Sequence, residues 1–70
     1  MFILLENAIY NLHLFVSIEK TETGIFGITS TGTKTQFKIS NPTQEKFEKL
    51  FKEITYILDG NKAGFYAVEL

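Results

Sequence analysis

Residues 41–60 read NPTQEKFEKLFKEITYILDG. Apolar residues recur in this segment at intervals of three and four, which places them on one face of an α-helix. They are Phe47, Leu50, Phe51, Ile54, Ile57 and Leu58. The opposite face is charged and carries Glu45, Lys46, Glu48, Lys49, Lys52 and Glu53. The segment therefore predicts an amphipathic helix whose apolar stripe must be covered by the rest of the chain.

Capping residues predict where this helix begins and ends. Asn41 is a favoured N-cap residue, and Pro42 suits the first helical position. Gly60 is the expected residue just after the last turn. We therefore expect a helix over 42–59, followed by a turn that begins at Asn61. Residues 64–70 form either a short strand or a packed arm.

The residues before the helix show the two-residue period of β-strands. Phe2–Leu5 is a continuous apolar run, typical of a short buried strand. From residue 12 the pattern alternates, with Leu12, Leu14, Val16 and Ile18 on one face and His13, Phe15, Ser17 and Glu19 on the other. Further strands are predicted over 25–29 and 35–39, and Gly27 marks a bulge or a close backbone approach.

These segments predict an α+β fold in a single domain over residues 1–70. We expect an antiparallel meander of four to five strands, with the amphipathic helix packed on one face and a C-terminal strand as one alternative for the tail. The face that the helix covers is predicted to carry Leu12, Leu14, Val16, Ile18, Phe26, Ile28, Phe37 and Ile39.

The chain carries more apolar side chains than one single-sided core requires. Its hydrophobic fraction is 44%, with seven phenylalanines and three tyrosines. The face that the helix leaves bare would hold Phe15, Ile25 and an alternate pair from Phe2–Leu5. Exposed apolar faces mark interfaces, and homodimers commonly cover them. We therefore expect a homodimer or higher homo-oligomer, with candidate interface residues Tyr10, His13, Phe15, Ile25, Phe65 and Tyr66.

Residue types that support catalysis are scarce. The chain has no cysteine, and His13 is its one histidine, so neither a thiolate site nor a paired-histidine metal site is expected. No serine lies in a Gly-x-Ser-x-Gly elbow. Residues 31–35, TGTKT, lack the spacing of a phosphate-binding loop and lead into a strand. We therefore expect neither enzymatic activity nor a cofactor.

Binding of single-stranded nucleic acid is the alternative function. Exposed aromatic side chains on a sheet can stack bases, and Tyr10, Phe15 and Phe26 are candidates for such a platform. Lys20, Lys34 and Lys38 would then contact the phosphates. A net charge of −1 and the lack of arginine count against this function.

Membrane insertion is not expected, because no apolar run approaches the ~20 residues needed to cross a bilayer. The first residues lack the basic segment of a signal peptide. The absence of cysteine suits a reducing compartment. The sequence therefore predicts a cytoplasmic protein.

Three segments precede the helix that carries Phe47 and Phe51: Tyr10-Asn11-Leu12, Val16-Ser17-Ile18-Glu19 and Phe37-Lys38-Ile39-Ser40. In this order they resemble short uncharacterised bacterial or phage-encoded proteins built as a β-meander followed by one helix. The resemblance covers residues 2–58 and implies the fold but no activity. Some meander-plus-helix folds bind single-stranded DNA or protein segments, so it suits both functions under consideration.

The sequence as a whole predicts a non-enzymatic interaction module. We expect it to self-associate and to bind a protein partner through the sheet face that the helix does not cover. The alternative is a regulator that binds single-stranded nucleic acid.

Overall fold

The computed structural model describes residues 1–60 and 64–70. Within these ranges the chain forms strands β1 (Phe2–Leu5), β2 (Ala8–Asn11), β3 (Phe15–Thr21), β4 (Gly24–Thr29) and β5 (Lys34–Gln36), then helix α1 (Gln44–Asp59) and strand β6 (Phe65–Val68). A short 3-10 turn spans Leu12–Leu14. The predicted α+β class with one amphipathic helix is confirmed, and the tail forms a strand.

The strands form two sheets of three rather than the single meander of four to five strands that the sequence predicts. In the first sheet β1 is central, antiparallel to β2 and parallel to β6. The second sheet is an antiparallel meander of β3, β4 and β5. The sheets separate at the 3-10 turn, where the Asn11 side chain accepts a hydrogen bond from the His13 backbone N–H (3.1 Å). This cap turns the chain where an unbroken strand was expected.

One core is shared by the helix and by both sheets. Its buried side chains are Ile3, Leu5, Leu12, Ile25, Phe37, Phe47, Leu50, Ile54, Ile57 and Val68. Phe37 joins the two sheets within this core. Its ring meets Tyr10 of the first sheet at 4.7 Å and Phe15 of the second at 5.6 Å, both edge to face. Such aromatic contacts add to the stabilisation from burial alone.

The predicted face of β3 and its preceding turn is right for Leu12 and Ile18, which lie in or against the core, but wrong for the residues between them. Leu14 and Val16 were expected beneath the helix but are largely exposed. Phe15 and Ile25, expected on the bare face, instead pack toward the core. A β-bulge between Phe15 and Ser17 shifts the register against β4, so that Phe15 before it and Ile18 after it both face the core.

The close approach predicted at Gly27 is confirmed. A Cβ atom at this position would lie 2.6 Å from the ring of Phe15. Ile25 and Gly27 share the inner face of β4, so Phe26 and Ile28, expected inward, alternate onto the outer face. Both remain half-buried there.

The N-cap of α1 is Thr43, whose side chain accepts a hydrogen bond from the Lys46 backbone N–H (3.1 Å). The prediction of Asn41 as the cap and Pro42 as the first helical residue is wrong by two positions. Asn41 has φ +50°, so it serves the preceding turn.

The helix ends as predicted at Asp59, and Gly60 caps it with right-handed backbone angles. The turn predicted at Asn61 lies outside the described residues. Leu58, predicted on the apolar stripe, is exposed. Across the described ranges, no helix has the length and apolar content that spanning a membrane requires.

Candidate interaction surface

The outer face of the first sheet is apolar. Alternation along β1 directs Ile3 and Leu5 into the core, so Phe2 and Leu4 point outward. The same alternation in β2 and β6 completes the surface. We call this surface the apolar face, and its members are Phe2, Leu4, Ile9, Phe65 and Ala67.

Strand register places these side chains in two rows. Phe2 lies between Asn11 of β2 and Phe65 of β6, while Leu4 lies between Ile9 and Ala67. Neighbouring strands are ~4.8 Å apart, so the side chains in each row touch. The apolar face thus has an aromatic end, formed by Phe2 and Phe65, and an aliphatic end.

The large side chains of the apolar face are open to solvent. The exposed fractions are 43% for Phe2, 61% for Ile9 and 56% for Phe65. Together with Ala67 they present roughly 300–400 Å² of apolar surface, taking usual side-chain areas. This lies within the range of about 300–600 Å² found for the largest apolar patch of a typical monomer, which is often a functional surface. None of its five members carries a charge.

A cavity of about 400 Å³ adjoins the aliphatic end of the apolar face. Its apolar wall is formed by Leu4, Ala67, Val68 and Leu70. Glu6, Lys46 and Glu69 form its polar side. The small side chain of Ala67 makes this end of the face lower than the end that carries the two phenyl rings.

The carboxylate of Glu6 at this cavity is held by hydrogen bonds. The Ser40 backbone N–H donates to Oε2 (2.8 Å) and the Ser40 hydroxyl donates to Oε1 (2.7 Å). Lys46 Nζ donates to the Ser40 carbonyl oxygen (2.9 Å). The two hydrogen bonds from Ser40, with a smaller effect of the Lys46 charge, lower the pKa of Glu6 below its ordinary value. Glu6 therefore serves to link the β1–β2 turn to the segment before α1.

The six predicted interface residues do not form one surface. Phe65 lies on the apolar face, but Tyr66 alternates inward and is half-buried against the core. Ile25 is buried, which contradicts its predicted place on the bare face.

Three of these predicted residues lie away from the apolar face. The rings of Tyr10 and Phe15 contact Phe37, and His13 is exposed on the 3-10 turn. The bare face was expected to hold an alternate pair from Phe2–Leu5, which is Phe2 and Leu4, but the candidate interface residues included neither of them, nor Ile9 and Ala67. Their period-two spacing was visible, but it identifies a face only once the strand ends are known.

The second sheet has an outer face of mixed character. Lys34 Nζ lies 3.8 Å from Glu19 Oε1 and 5.9 Å from the centre of the Phe26 ring. The lysine is therefore already close to a carboxylate and an aromatic ring of its own sheet. This surface is amphipathic, in contrast to the apolar face.

The residues predicted to contact nucleic acid are distributed over different parts of the molecule. Lys20 is paired in register with the inward-facing Ile25, so it lies on the opposite face of its sheet from Lys34. Lys38 follows β5, and its backbone N–H donates to the Tyr10 hydroxyl (3.1 Å). Of the predicted stacking platform, Phe26 alone lies on an outer face.

No group of three or more His, Cys, Asp and Glu side chains within 1–60 and 64–70 is placed to hold a metal ion. His13 lies outside the cavity beside the apolar face.

Comparisons of this chain with protein families, curated proteins and solved structures found no match. The resemblance to short bacterial or phage-encoded proteins stays a prediction, and function is inferred from the apolar face and its adjoining cavity.

Proposed function

We propose that this chain is a non-enzymatic interaction module that self-associates through the apolar face. The observation that carries the proposal is a contiguous outer sheet surface with Phe2, Ile9 and Phe65 exposed and no charge among its members. Removing such a surface from water is favourable by about 25 cal/mol for each Å² buried. A second copy supplies a surface of the same chemistry, and two-fold dimers are the commonest homo-oligomers.

The size of the apolar face favours a dimer of modest affinity. A standard stable interface buries about 800 Å² on each partner, about twice the apolar area exposed here. Part of the gain from burial also offsets the loss of translational and rotational freedom. We therefore expect a dissociation constant on the order of micromolar, so that monomer and dimer coexist.

The same face would bind a protein partner in the monomer. Self-association and partner binding then compete, because both require Phe2, Ile9 and Phe65 to be free of other contacts. The absence of cysteine suits a reducing compartment, and the cytoplasm is the proposed location.

An Ile9→Glu substitution tests this proposal. Glutamate at this exposed position would place a charge in the dimer contact, where its desolvation disfavours association. We expect sedimentation velocity over a concentration series to show a dimer for the unaltered protein and a monomer for Ile9→Glu. Circular dichroism checks that the variant keeps its fold.

Val16→Glu is the matched control. Val16 is 70% exposed but lies in the second sheet, so the same substitution there should leave the dimer unchanged. A monomer for the unaltered protein at all concentrations up to millimolar would overturn the proposal. So would an equal loss of dimer in both variants.

A further inference from the structure

We infer that the two copies pack with their β1 strands antiparallel across the interface, so that Phe65 of each copy enters the cavity beside Ala67 of the other. This inference rests on the proposed self-association and specifies its geometry. It starts from the unequal ends of the apolar face, which restrict how two identical surfaces can fit together.

Two identical sheet faces can meet about a two-fold axis in two simple ways. An axis across the strands reverses their direction and places Phe65 of one copy over Ala67 of the other, and Phe2 over Leu4. An axis along the strands keeps their direction and places Phe65 over Asn11. Both allow the aligned packing of stacked sheets, whose strand directions differ by about 30°.

Size complementarity favours the axis across the strands. Phe65 protrudes at the aromatic end, and Ala67 leaves a depression at the aliphatic end. Reversing the strands brings the large side chain of each copy over the small side chain of the other. The alternative places Phe65 of each copy over Asn11 of the other, whose side chain already accepts the hydrogen bond from His13.

The cavity has room for the incoming ring. Its volume is about 400 Å³, and its wall beside Ala67 includes the apolar side chains of Leu4, Val68 and Leu70. The cavity opens to solvent, so a side chain of a second copy can reach it without rearrangement of its wall. Packing along the other axis places Ile9 rather than Phe65 over Ala67, and this smaller side chain fills less of the volume and makes fewer dispersion contacts.

The area that a stable interface must bury also favours the axis across the strands. The apolar face alone exposes less than the ~800 Å² per partner of a standard interface. Inserting Phe65 adds the half-buried Leu70 in the wall of the cavity to the contact. A second copy in this orientation therefore covers more surface than a flat contact between the two faces.

Phe65→Ala and Ala67→Phe test the contact from its two sides. Phe65→Ala removes the ring that would enter the cavity of the other copy. Ala67→Phe places a second phenyl ring where Phe65 of the other copy would lie. We expect each variant alone to weaken the dimer by about 10- to 30-fold in dissociation constant, as for residues central to an interface. Val16→Ala, an exposed truncation in the second sheet, should change nothing.

An equimolar mixture of the two variants decides the orientation. In the mixed dimer one contact pairs Phe65 with Ala67 and the other pairs the new alanine with the new phenylalanine, so both are complementary. We expect sedimentation equilibrium of the mixture to recover an affinity within about threefold of the unaltered protein. The chain that carries both substitutions should likewise dimerise with itself.

The results of these experiments distinguish a failure of this inference from a failure of the proposed function. If the unaltered protein dimerises but neither the mixture nor the doubly substituted chain recovers affinity, the antiparallel arrangement is wrong while self-association stands. The same holds if neither single variant weakens the dimer. If the unaltered protein is monomeric, the proposed function fails as well. Circular dichroism of each variant identifies a loss of fold.

Discussion

Phe15 lies directly over Gly27, and this contact determines which face of the second sheet meets the core. The ring approaches β4 where no side chain intervenes, and a Cβ atom there would lie 2.6 Å from it. From this position the ring packs edge to face on Phe37 at 5.6 Å. Gly27 therefore permits a contact that helps to join the sheets.

Replacing Gly27 by alanine should destabilise the fold by about 1–3 kcal/mol, the usual cost of forcing an extra methyl group into a packed site. Urea denaturation followed by circular dichroism measures the change in the free energy of unfolding. In a Phe15→Leu background the cost should be smaller, because the ring that the methyl group displaces is absent.

Ser17→Ala provides the comparison on an exposed position of the neighbouring strand, where a change within about 0.5 kcal/mol is expected. An equal cost of Gly27→Ala in both backgrounds would show that the Phe15 contact is not its cause.

At the residue scale, the two-residue period of the strands could be predicted from the sequence, but the face toward which each side chain points could not. The alternation from Leu12 to Glu19 was visible, but the 3-10 turn and the bulge after Phe15 interrupt it, so Leu14 and Val16 point away from the core while Leu12 and Ile18 keep the predicted face. Neither feature has a strong local signal. A glycine inside a strand is such a signal, so the close approach at Gly27 could be foreseen.

For the same reason, the sequence identified the residues of the apolar face only in part. Phe65 was identified, whereas Ile9 and Ala67 acquire their meaning only from pairing with β1. The pairing of Ala67 with Leu4 joins residues far apart in the sequence, which local patterns do not encode, whereas Ile9 pairs with Leu4 across a short hairpin whose strand ends were not predicted.

Among the elements, α1 was the most predictable, because its apolar stripe repeats over four turns. The first residue of α1 differs from the prediction because the sequence holds two residues of types that favour the N-cap position. Thr43 takes the cap, while Asn41 adopts the left-handed conformation that asparagine tolerates. Gln44 Nε2 also donates to the Glu22 carbonyl oxygen (2.6 Å), which ties the helix start to the β3–β4 hairpin.

Substitution of the two candidate caps separates their roles. Thr43→Ala should cost about 1 kcal/mol in the free energy of unfolding, because the Lys46 backbone N–H loses its acceptor. Asn41→Gly should be neutral or slightly stabilising, since glycine adopts a positive φ without strain. Thermal or urea denaturation measures both, and a larger loss for Asn41→Gly than for Thr43→Ala would contradict the assignment of the cap.

At the scale of the whole molecule, two contacts join parts that are distant in the sequence. A chain of this length has a total stability of roughly 4–10 kcal/mol. Phe37 joins the sheets through the core, and Glu6 links the β1–β2 turn to Ser40 before the helix. Loss of either connection separates elements that are distant in the sequence.

The Glu6 link predicts a dependence of stability on pH. Because hydrogen bonds from Ser40 lower the pKa of Glu6 in the folded state, its contribution is present above the ordinary value of 4.5 and is lost as the pH falls through the folded value. Urea denaturation between about pH 6 and pH 3 should show Glu6→Gln less stable than the unaltered protein at the upper end. This difference should shrink toward the lower end.

Ser40→Ala should reduce the same difference in part, because it removes the hydroxyl donor and keeps the backbone donor. Glu48→Gln is the matched control, because it removes a negative charge from the exposed side of α1, away from Ser40. A difference for Glu6→Gln that stays constant across this range of pH would contradict the role of the link.

The parallel pairing of β1 with β6 has a consequence for the order of folding. Phe2 is paired with Phe65, so the first sheet cannot close until almost the whole described chain is present. Closing so long a loop costs conformational entropy before the contact contributes, and folding becomes slower as the sequence separation of paired strands increases. During synthesis on the ribosome, the β1–β2 hairpin would therefore emerge long before its third strand, and the core position filled by Val68 would be the last to close.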